Sequence, residues 1–381
     1  MKVLINAITI TEGGGLVVLT HLLKSMQKAG SEICWYVVSD PKILSALPQH
    51  NKIVKISYTG ARKTPLHLLY WYECELPKLV SRIEIDLLFS LTNFLPRKCL
   101  SCPALLLMHN AGFFSETFTR LQMQYYKNFK NNLLWKRKIK WAKNSIKRAT
   151  IVTVQTNALK NEILKLRGVS QDKIITIPHG PGLLEMTDAQ PRLFPENRIW
   201  RIGYITKFGP QKDFITVIKA MSHLKTSGVR IKLVLTLDEN TKEYPSILHE
   251  IEANKIQDMI ENLGEVTDRD NLQRVYHSLD IFIFPSLVES FGFTLVEAMT
   301  AGLPVIVADT PSNREMVGEA GQFFPTENSK QLLEKIQSIM IDKNLYNLAS
   351  ENSIKRSRFF SWNKTGLALI ELMYNITRAP C

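Results

Sequence analysis

Cysteine is scarce in this sequence. The chain has five cysteines among 381 residues, an odd number, and they are spread along its length. Such usage is typical of a reducing compartment and argues against a framework of disulfides. Cys99 and Cys102 form one C-x-x-C, but a lone pair without nearby histidines is weak support for zinc or redox chemistry.

Long apolar runs are absent as well. No stretch approaches the roughly 18 uninterrupted apolar residues that a membrane-spanning helix needs. The opening "MKVLINAITI" alternates like a buried strand and lacks the charged head and apolar middle of a signal peptide. We therefore expect a cytoplasmic protein. With 45% hydrophobic residues, the chain has enough material for the cores of two domains.

Acidic residues are missing from one long segment. Residues 120–148 hold ten Lys/Arg and no acid, and the net charge of +13 would be near +3 without them. The plain interpretation is a solvated helix packed on the N-terminal domain, with one apolar stripe: Trp135, Ile139, Ala142 and Ile146. A second is docking to an anionic inner-leaflet surface. Nucleic-acid binding is disfavoured because no recognition motif accompanies the segment.

What is present is an alternation of short apolar runs and helical patterns. Strands are predicted at "KVLINAITI", "EICWYVVSD", "DLLFSLTN", "PALLLMHN", "TIVTVQT", "WRIGYIT", "IKLVLTL", "IFIFPS" and "PVIVAD". Helices are predicted at "GLVVLTHLLKSMQKAG", ending at Gly30, and at 212–226, about 244–262 and after Glu289. Continuous apolar runs are typical of parallel strands covered on both faces. We predict an α/β protein with two Rossmann-like, doubly wound domains and a cleft between them.

A segment rich in Pro, Gly and polar residues, "HGPGLLEMTDAQPRLFPENR", separates the two halves. The predicted organisation is an N-terminal domain over 1–180, a linker over 181–198 and a C-terminal domain over 199–358. A last helix over 359–381 is expected to pack back toward the N-terminal domain. Ligands of such sheets bind at the carboxyl ends of the strands.

The most informative stretch is "FPSLVESFGFTLVEAMTAGLPVIVAD", in which a strand runs through a tight turn into a helix. Gly292 lets the backbone come close to a ligand. The N–H groups of Gly292, Phe293 and Thr294 would lie at the positive end of the helix dipole and form a phosphate site.

Two glutamates bracket this turn. Glu297 lies one helical turn in, placed to accept hydrogen bonds from sugar hydroxyls, and Glu289 precedes the turn. Either acid alone could be a helix cap or a dipole-complementing residue. Together they indicate a site that holds hydroxyl-bearing groups on either side of a diphosphate.

These residues carry a family resemblance. The pattern P-S-x-x-E-S-F-G-F-x-x-x-E-A-M-x-A-G-L-P-V resembles the E-x7-E signature of retaining glycosyltransferases with the two-domain GT-B fold, notably glycosyltransferase family 4 (group 1). The segment "NLGEVTDRDNLQRVYHSLDIFIFPS" is similar to the same family. The resemblance covers nearly the whole chain and is strongest over 262–325. It implies that Glu289 contacts the donor sugar and Glu297 the ribose. It implies binding roles for the backbone of Phe291, Gly292, Phe293 and Thr294 at the diphosphate, and for Gly264 at the nucleobase.

A pair of lysines in "GYITKFGPQKDF" resembles the arginine and lysine with which the family grips the diphosphate. Lys207 and Lys212 have the matching spacing. Two cations beside a leaving diphosphate stabilise its developing charge. Lys207 stands where arginine is usual, which keeps the charge but loses the bidentate fork. Another alignment puts Tyr204 at that place and leaves Lys212 as the matched cation.

The N-terminal half contributes a glycine turn and a histidine. In "TEGGGLVVLTHLL" the family has a glycine pair that approaches the donor phosphates, and Gly14 and Gly15 are the matching residues. His109, at the end of "LLLMHN", resembles the histidine that contacts the donor sugar near its reacting face. Further candidates are Asn110, Phe113 and, in the hinge "IPHGPG", His179.

The resemblance implies transfer of a hexose from a nucleoside-diphosphate sugar to a hydroxyl of a glycan or lipid-linked glycan, with retention. The donor is expected to be GDP- or UDP-linked, GDP-mannose being preferred, and the pathway bacterial lipopolysaccharide or surface polysaccharide synthesis. No metal or other cofactor is expected, since "EID" at 84–86 is not a convincing D-x-D. The expected location is the cytoplasm, peripheral on the inner membrane face through 120–148. Alternatives are a GT-B nucleotide-sugar epimerase and a basic nucleic-acid-binding protein.

Overall fold

A computed structural model describes residues 1–11, 13–28, 32–125, 129–183, 189–196, 199–225 and 229–378. These residues divide into two compact α/β units. Unit 1 takes the described residues of Met1–Ser115, Tyr126–Gly180 and Ser361–Cys381. Unit 2 takes those of Glu116–Tyr125 and Pro181–Phe360. The predicted helix end at Gly30 and part of the predicted linker lie outside the described residues.

Each unit is built on one parallel sheet, within the part of the chain that the structure describes. The strands of unit 1 are β1 (Lys2–Asn6), β2 (Cys34–Ser39), β3 (Ile53–Ser57), β4 (Leu87–Ser90), β5 (Ala104–Leu107), β6 (Ile151–Val154) and β7 (Ile174–Thr176). Those of unit 2 are β8 (Trp200–Tyr204), β9 (Ile231–Leu235), β10 (Ile260–Asn262), β11 (Ile281–Phe284), β12 (Val305–Ala308) and β13 (Gly321–Phe324).

Helices follow most strands. In chain order they are α1 (Gly14–Lys28), α2 (Pro41–Ser45), α3 (Pro65–Tyr70), α4 (Leu76–Ile83), α5 (Glu116–Tyr125), α6 (Phe129–Arg148), α7 (Asn157–Leu164), α8 (Phe214–Lys225), α9 (Tyr244–Ala253), α10 (Arg269–Ser278), α11 (Phe293–Thr300), α12 (Pro311–Val317), α13 (Ser329–Ile341), α14 (Lys343–Ser357) and α15 (Trp362–Arg378). A π-helical turn over Trp71–Glu75 joins α3 to α4.

The strand orders explain where ligand sites can form. Unit 1 has the order β3-β2-β1-β4-β5-β6-β7, and unit 2 has the order β10-β9-β8-β11-β12-β13. The pairings are parallel in both sheets. The order reverses between β1 and β4 in unit 1, and between β8 and β11 in unit 2. Such a switch point opens a crevice at the carboxyl ends of the strands, which is where doubly wound proteins bind ligands. The prediction of two Rossmann-like α/β domains is confirmed.

The basic helix α6 packs on unit 1 through its predicted stripe. Ala142 and Ile146 are fully buried, and Trp135 and Ile139 pack against the same core. The Trp141 indole N–H donates to the carbonyl of Leu95 at 2.9 Å. Most of the lysines on the other side of the helix are exposed. In the described residues, no helix combines the length and the apolarity needed to cross a membrane.

Residues 189–196, part of the predicted linker, pack on unit 2 through Arg192. Its guanidinium donates to the carbonyls of Tyr276 and His277 at the end of α10, at 2.8 and 2.9 Å. It also donates to the carbonyl of Ala301, just after α11, at 2.9 Å. One cation thus contacts the carbonyls at the ends of two helices, where the helix dipole is negative. Phe194 adds an edge contact with the ring of Trp200, at a centroid distance of 5.5 Å.

Helix α15 belongs to unit 1 and lies against α1. A glycine makes this approach close, because a Cβ at Gly366 would come within 2.5 Å of Ser25 Oγ and 3.1 Å of its backbone carbon. The side chains of Leu369 and Met373 on α15 are buried. The Thr365 hydroxyl donates to the carbonyl of Pro178 at 2.6 Å.

Replacing Gly366 with valine is expected to destabilise unit 1 by about 2–3 kcal/mol, because the added side chain overpacks the contact with Ser25. Urea unfolding measures the change. The control is Leu367→Val on the same helix, where the side chain is 57% exposed and the expected change is within about 0.5 kcal/mol. Equal effects of the two substitutions would contradict the close-packing argument.

Candidate functional site

The turn between β11 and α11 has the geometry that its sequence predicts. Gly292 caps α11 with φ of +85°, a left-handed conformation that side chains disfavour. A Cβ there would also lie 3.1 Å from the ring of Phe284. Because the cap residue has no side chain, it cannot cover the first turn of the helix. The Leu295 N–H donates to the carbonyl of Gly292 at 3.1 Å, and this first turn lies at the positive end of the helix dipole.

The aromatic residues of this turn are structural anchors. Phe291 is buried, and its ring meets that of Phe293 edge-on at a centroid distance of 5.2 Å. On its other side it meets the ring of Phe360 at 5.5 Å. These contacts fix the backbone of the turn. The side chain of Phe291 belongs to the core, and the binding role of its backbone stays a prediction.

Two of the predicted catalytic residues, Lys212 and Glu289, form an ion pair in the structure. Their side chains are only 15% and 14% exposed, so water screens the interaction little. The Lys212 ammonium also donates to Ser286 Oγ at 3.3 Å and lies 5.5 Å from the centre of the Phe284 ring. The cation follows β8 and the acid follows β11, so the pair lies at the switch point of the sheet.

Buried polar side chains bond to the backbone near this pair. The Tyr204 hydroxyl donates to the carbonyl of Lys212 at 2.6 Å, and burial, followed by the nearby Glu289, raises the pKa of Tyr204 well above its ordinary value. Asn313 donates to the carbonyls of Ser286 and Ala308 at 3.1 and 2.9 Å. Sequence reasoning missed Ser286 and Asn313. In the alternative alignment, Tyr204 stands where the family has its arginine. The ring of Tyr204 is fully buried, and its hydroxyl is bonded to the backbone.

Lys207 stands in a different ion pair. Its ammonium lies 2.5 Å from Glu265, and its side chain is 57% exposed. Glu265 follows Gly264, which has φ of +72° and where a Cβ would meet no described atom within 4 Å. The structure pairs each lysine with its own acid, and the joint action of Lys207 and Lys212 on a diphosphate stays a prediction. An exposed pair such as Lys207–Glu265 contributes at most about 1 kcal/mol of stability.

Glu297 is nearly inaccessible, with 3% exposure. Its Oε1 accepts a hydrogen bond of 2.6 Å from the backbone N–H of Leu183. Its Oε2 accepts one of 2.9 Å from the hydroxyl of Tyr276. Burial, followed by the charge of Glu297, raises the pKa of Tyr276 well above its ordinary value. Neither Tyr276 nor Leu183 was identified from the sequence.

In unit 1, the glycine turn follows β1 and the histidine follows β5, the two strands that flank β4. Gly14 and Gly15 are the first two residues of α1, after Gly13 with φ of +64°. His109 follows β5, and its backbone N–H donates to Asn93 Oδ1 at 2.8 Å. Desolvation lowers the pKa of the His109 imidazole to about 4, so the ring is neutral at pH 7.

The remaining candidates of unit 1 have structural roles. Phe113 lies in the core, 5.9 Å from the ring of Phe94 and 5.2 Å from that of Trp135. Its contact with sugar or acceptor stays a prediction. Asn110 Oδ1 accepts from the N–H of Gly112 at 3.0 Å and so caps a short turn.

His179 is buried beside α15. Its ring stacks on that of Trp362 at a centroid distance of 5.0 Å, and Trp362 also stacks with His21 at 5.1 Å. A Cβ at the next residue, Gly180, would lie 2.3 Å from the Trp362 ring, so only glycine fits there. Burial, and then the nearby His109, lowers the pKa of His179 to about 3.

The buried imidazole of His179 predicts acid sensitivity. At pH values between its ordinary pKa of 6.5 and its folded pKa of about 3, His179 binds a proton more readily in the unfolded chain than in the folded protein. Stability therefore falls as the pH drops through that window, by about 2 kcal/mol at pH 5 for this one group. In His179→Gln the loss of stability between pH 7.5 and 5.0, measured by urea unfolding, is expected to be smaller by that amount. His223→Gln, at an exposed histidine, is the control. An unchanged loss in His179→Gln would contradict the assignment.

The fold and the site together define a class. Two doubly wound α/β units follow one another along the chain, and the second has a glycine-capped helix at its switch point. Two such units in one chain are the build of GT-B glycosyltransferases.

Comparisons with known proteins agree. Residues 12–181 match the family Glycosyltransferase Family 4, and residues 188–356 match Glycosyl transferases group 1. Sucrose-phosphate synthase from Thermosynechococcus elongatus has the same fold, with a TM-score of 0.76 at 17% identity over 100% of both chains. HepE from Anabaena, solved with UDP-glucose, gives a TM-score of 0.72 at 18% identity over 98% of this chain and 100% of that one.

A curated relative is O-antigen chain mannosyltransferase B of Escherichia coli, 25% identical over 231 residues. The match covers 57% of this chain and 58% of that protein. Together, the two family matches, the shared fold and this similarity place the chain among the glycosyltransferases, EC class 2.4.

Proposed function

We propose that this protein transfers a hexose from a nucleoside-diphosphate sugar to a hydroxyl of a glycan or lipid-linked glycan, with retention of anomeric configuration. The observation that carries the proposal is the start of α11. There, a glycine-capped helix N-terminus lies next to the Lys212–Glu289 pair, and Glu297 follows one turn later. A diphosphate is the ligand that a helix N-terminus and an adjacent cation select.

Each residue has a defined task in this proposal. The helix N-terminus and Lys212 stabilise the negative charge that develops on the departing diphosphate. Glu289 accepts hydrogen bonds from hydroxyls of the donor sugar and, through its ion pair, fixes the position of Lys212. Glu297 binds the ribose. His109, neutral at pH 7, contributes a hydrogen bond to the donor sugar and no positive charge.

For retention, we propose that the acceptor attacks the same face that the diphosphate leaves. The bond from the anomeric carbon to the phosphate oxygen breaks, the bond to the acceptor oxygen forms, and the departing phosphate takes the acceptor's proton. The contribution of the protein is positioning and charge stabilisation. The rival scheme is a covalent sugar adduct on a carboxylate about 5 Å from the acid, as in retaining hydrolases.

The donor is proposed to be GDP- or UDP-linked, with GDP-mannose preferred. Similarity to an O-antigen mannosyltransferase supports mannose, and the fold shared with a UDP-glucose-bound protein supports UDP. The same similarity supports a place in bacterial lipopolysaccharide or surface polysaccharide synthesis.

We propose a metal-independent reaction, because Lys212 and the helix N-terminus supply positive charge at the diphosphate. Full turnover in excess EDTA is the expected result.

Thermal unfolding against GDP, UDP, dTDP, ADP and CMP tests the donor. A diphosphate at about 100 times its dissociation constant should add roughly 2.7 kcal/mol of stability. A shift with one base identifies the donor class. No shift with any of them would contradict the nucleotide site. Product analysis with the matching sugar nucleotide then separates transfer from epimerisation, which needs no acceptor.

We also propose that the protein is cytoplasmic and docks on the inner membrane face through the basic side of α6. The exposed residues there include Lys136, Arg137, Lys138 and Lys140, and each Lys/Arg near an anionic surface contributes about 1 kcal/mol. Sedimentation with vesicles of anionic lipid, lost at high salt and absent with neutral vesicles, is the expected result. Equal retention by duplex DNA would favour the nucleic-acid alternative.

A further inference from the structure

The carboxylate of Glu297 is held from two sides by groups that come from different parts of unit 2. The backbone N–H of Leu183 donates to one oxygen at 2.6 Å, and the hydroxyl of Tyr276 donates to the other at 2.9 Å. Leu183 lies just after the chain enters unit 2, and Tyr276 lies on α10. The side chains of Tyr276 and Leu183 pack in the same apolar cluster as Leu295 of α11, the helix that carries Glu297.

The hydroxyl of Tyr276 contacts two groups of α11. Its side chain is fully buried, and its hydroxyl lies 3.2 Å from the carbonyl of Thr294 as well as near Glu297. Thr294 is in the first turn of α11, where the phosphate site is proposed. One hydroxyl thus links the turn that would bind phosphate to the carboxylate that would bind ribose.

Gly182 completes the arrangement. A Cβ at this residue would lie 2.1 Å from Glu297 Oε1 and 3.4 Å from Phe293 Cβ. Any larger residue would therefore push the Leu183 N–H away from the carboxylate. The close approach of the backbone to Glu297 depends on glycine at this position.

We propose that Tyr276 is a positioning residue for ribose recognition, acting on Glu297 together with the backbone N–H of Leu183. This inference rests on the proposed function, in which Glu297 binds the ribose. A carboxylate can accept several hydrogen bonds, so protein donors and ribose hydroxyls can share this one group. Held at both oxygens, the side chain keeps one rotamer, and the ribose hydroxyls meet acceptors already in place. Such preorganisation increases the affinity for groups that match it.

The test compares nucleotides with and without the ribose hydroxyls. UDP and GDP, and their 2′,3′-dideoxy forms, are titrated into the full chain by calorimetry. The wild type is expected to prefer the ribonucleotide by at least roughly tenfold, as for hydrogen bonds to a charged group. In Tyr276→Phe this ratio is expected to fall to about threefold or less, through weaker binding of the ribonucleotide alone.

Tyr346→Phe is the matched control. Tyr346 is also fully buried in unit 2, and its hydroxyl donates to the carbonyl of Asp280 at 3.1 Å, before β11 begins. This variant should keep the full preference for ribose. A merely structural role of Tyr276 would lower the affinities for both forms equally and leave the ratio unchanged, which would overturn the proposal.

Gly182→Ala tests the other donor without touching the tyrosine. It too should reduce the preference for ribose, with the diphosphate contribution intact. A wild type that binds neither nucleotide would overturn the proposed function, and this inference with it. A wild type that binds both forms equally well would overturn the ribose role of Glu297 and this inference, and would leave the nucleotide site standing. Binding with ribose preference, unaffected in Tyr276→Phe, would overturn the positioning role and leave the proposed function standing.

Discussion

Lys212→Met is expected to lower kcat/KM for sugar transfer by about 10²–10³, because the reaction loses a cation beside the departing diphosphate. The loss should be mainly in kcat, since the charge that Lys212 stabilises develops in the transition state. Glu289→Gln is expected to have a comparable effect, because it removes a sugar contact and releases the lysine. Steady-state kinetics with the sugar nucleotide identified in the binding panel measure both.

Stability separates this catalytic role from a structural one. Each single substitution leaves a nearly buried charge without its ion-pair partner and is expected to cost about 3 kcal/mol. In the double variant Lys212→Met/Glu289→Gln both charges are gone, and most of that stability should return. Activity should remain lost. Recovery of activity together with stability would show that the pair only holds the fold, and would remove Lys212 from the proposed mechanism.

Arg192→Ala is expected to destabilise unit 2 by about 3 kcal/mol. The guanidinium donates to three carbonyls among the described residues, at the ends of α10 and α11, and charged hydrogen bonds of this kind contribute about 1.5–3 kcal/mol each before solvent replaces part of the loss. Urea unfolding gives the magnitude. Hydrogen exchange should locate the loosening in the last turns of those two helices. Arg192→Lys should recover only part of the loss, because an ammonium lacks the planar fork.

Lys343→Ala is the control for Arg192. Lys343 pairs with Glu196 at 2.8 Å and so also tethers residues 189–196, but both side chains are mostly exposed. Exposed pairs contribute about 0–1 kcal/mol, so this variant should unfold almost like the wild type. If the two variants lose equal stability, the contribution of Arg192 comes from tethering in general and not from the carbonyls of the helix ends.

The parts of the fold that follow from local patterns were predictable. Continuous apolar runs such as "IFIFPS" correspond to buried parallel strands, here β11. The glycine in "ESFGF" adopts the left-handed conformation at the start of α11, which the tight turn required. The apolar stripe of α6, including Ala142 and Ile146, faces the core as its spacing predicts.

What the sequence did not predict depends on contacts between distant residues. Tyr276 reaches Glu297 across 21 positions, and Leu183 reaches it across 114. No local pattern marks either residue. Likewise, the spacing of Lys207 and Lys212 gave no indication of their acidic partners, Glu265 and Glu289. Charge partners are chosen by the tertiary fold, so spacing alone could not assign them.

The discontinuity of unit 1 has a consequence for the growing chain on the ribosome. Helix α15, which covers α1 through Gly366 and Trp362, is translated only after Pro181–Phe360, the main part of unit 2, has been made. Domains generally fold as units in the order of their synthesis. Here the first unit to begin is the last to be completed, and the side of α1 at His21 and Ser25 stays uncovered during the synthesis of a whole further domain. Unit 1 is therefore the part that needs protection from aggregation while the nascent chain is being made.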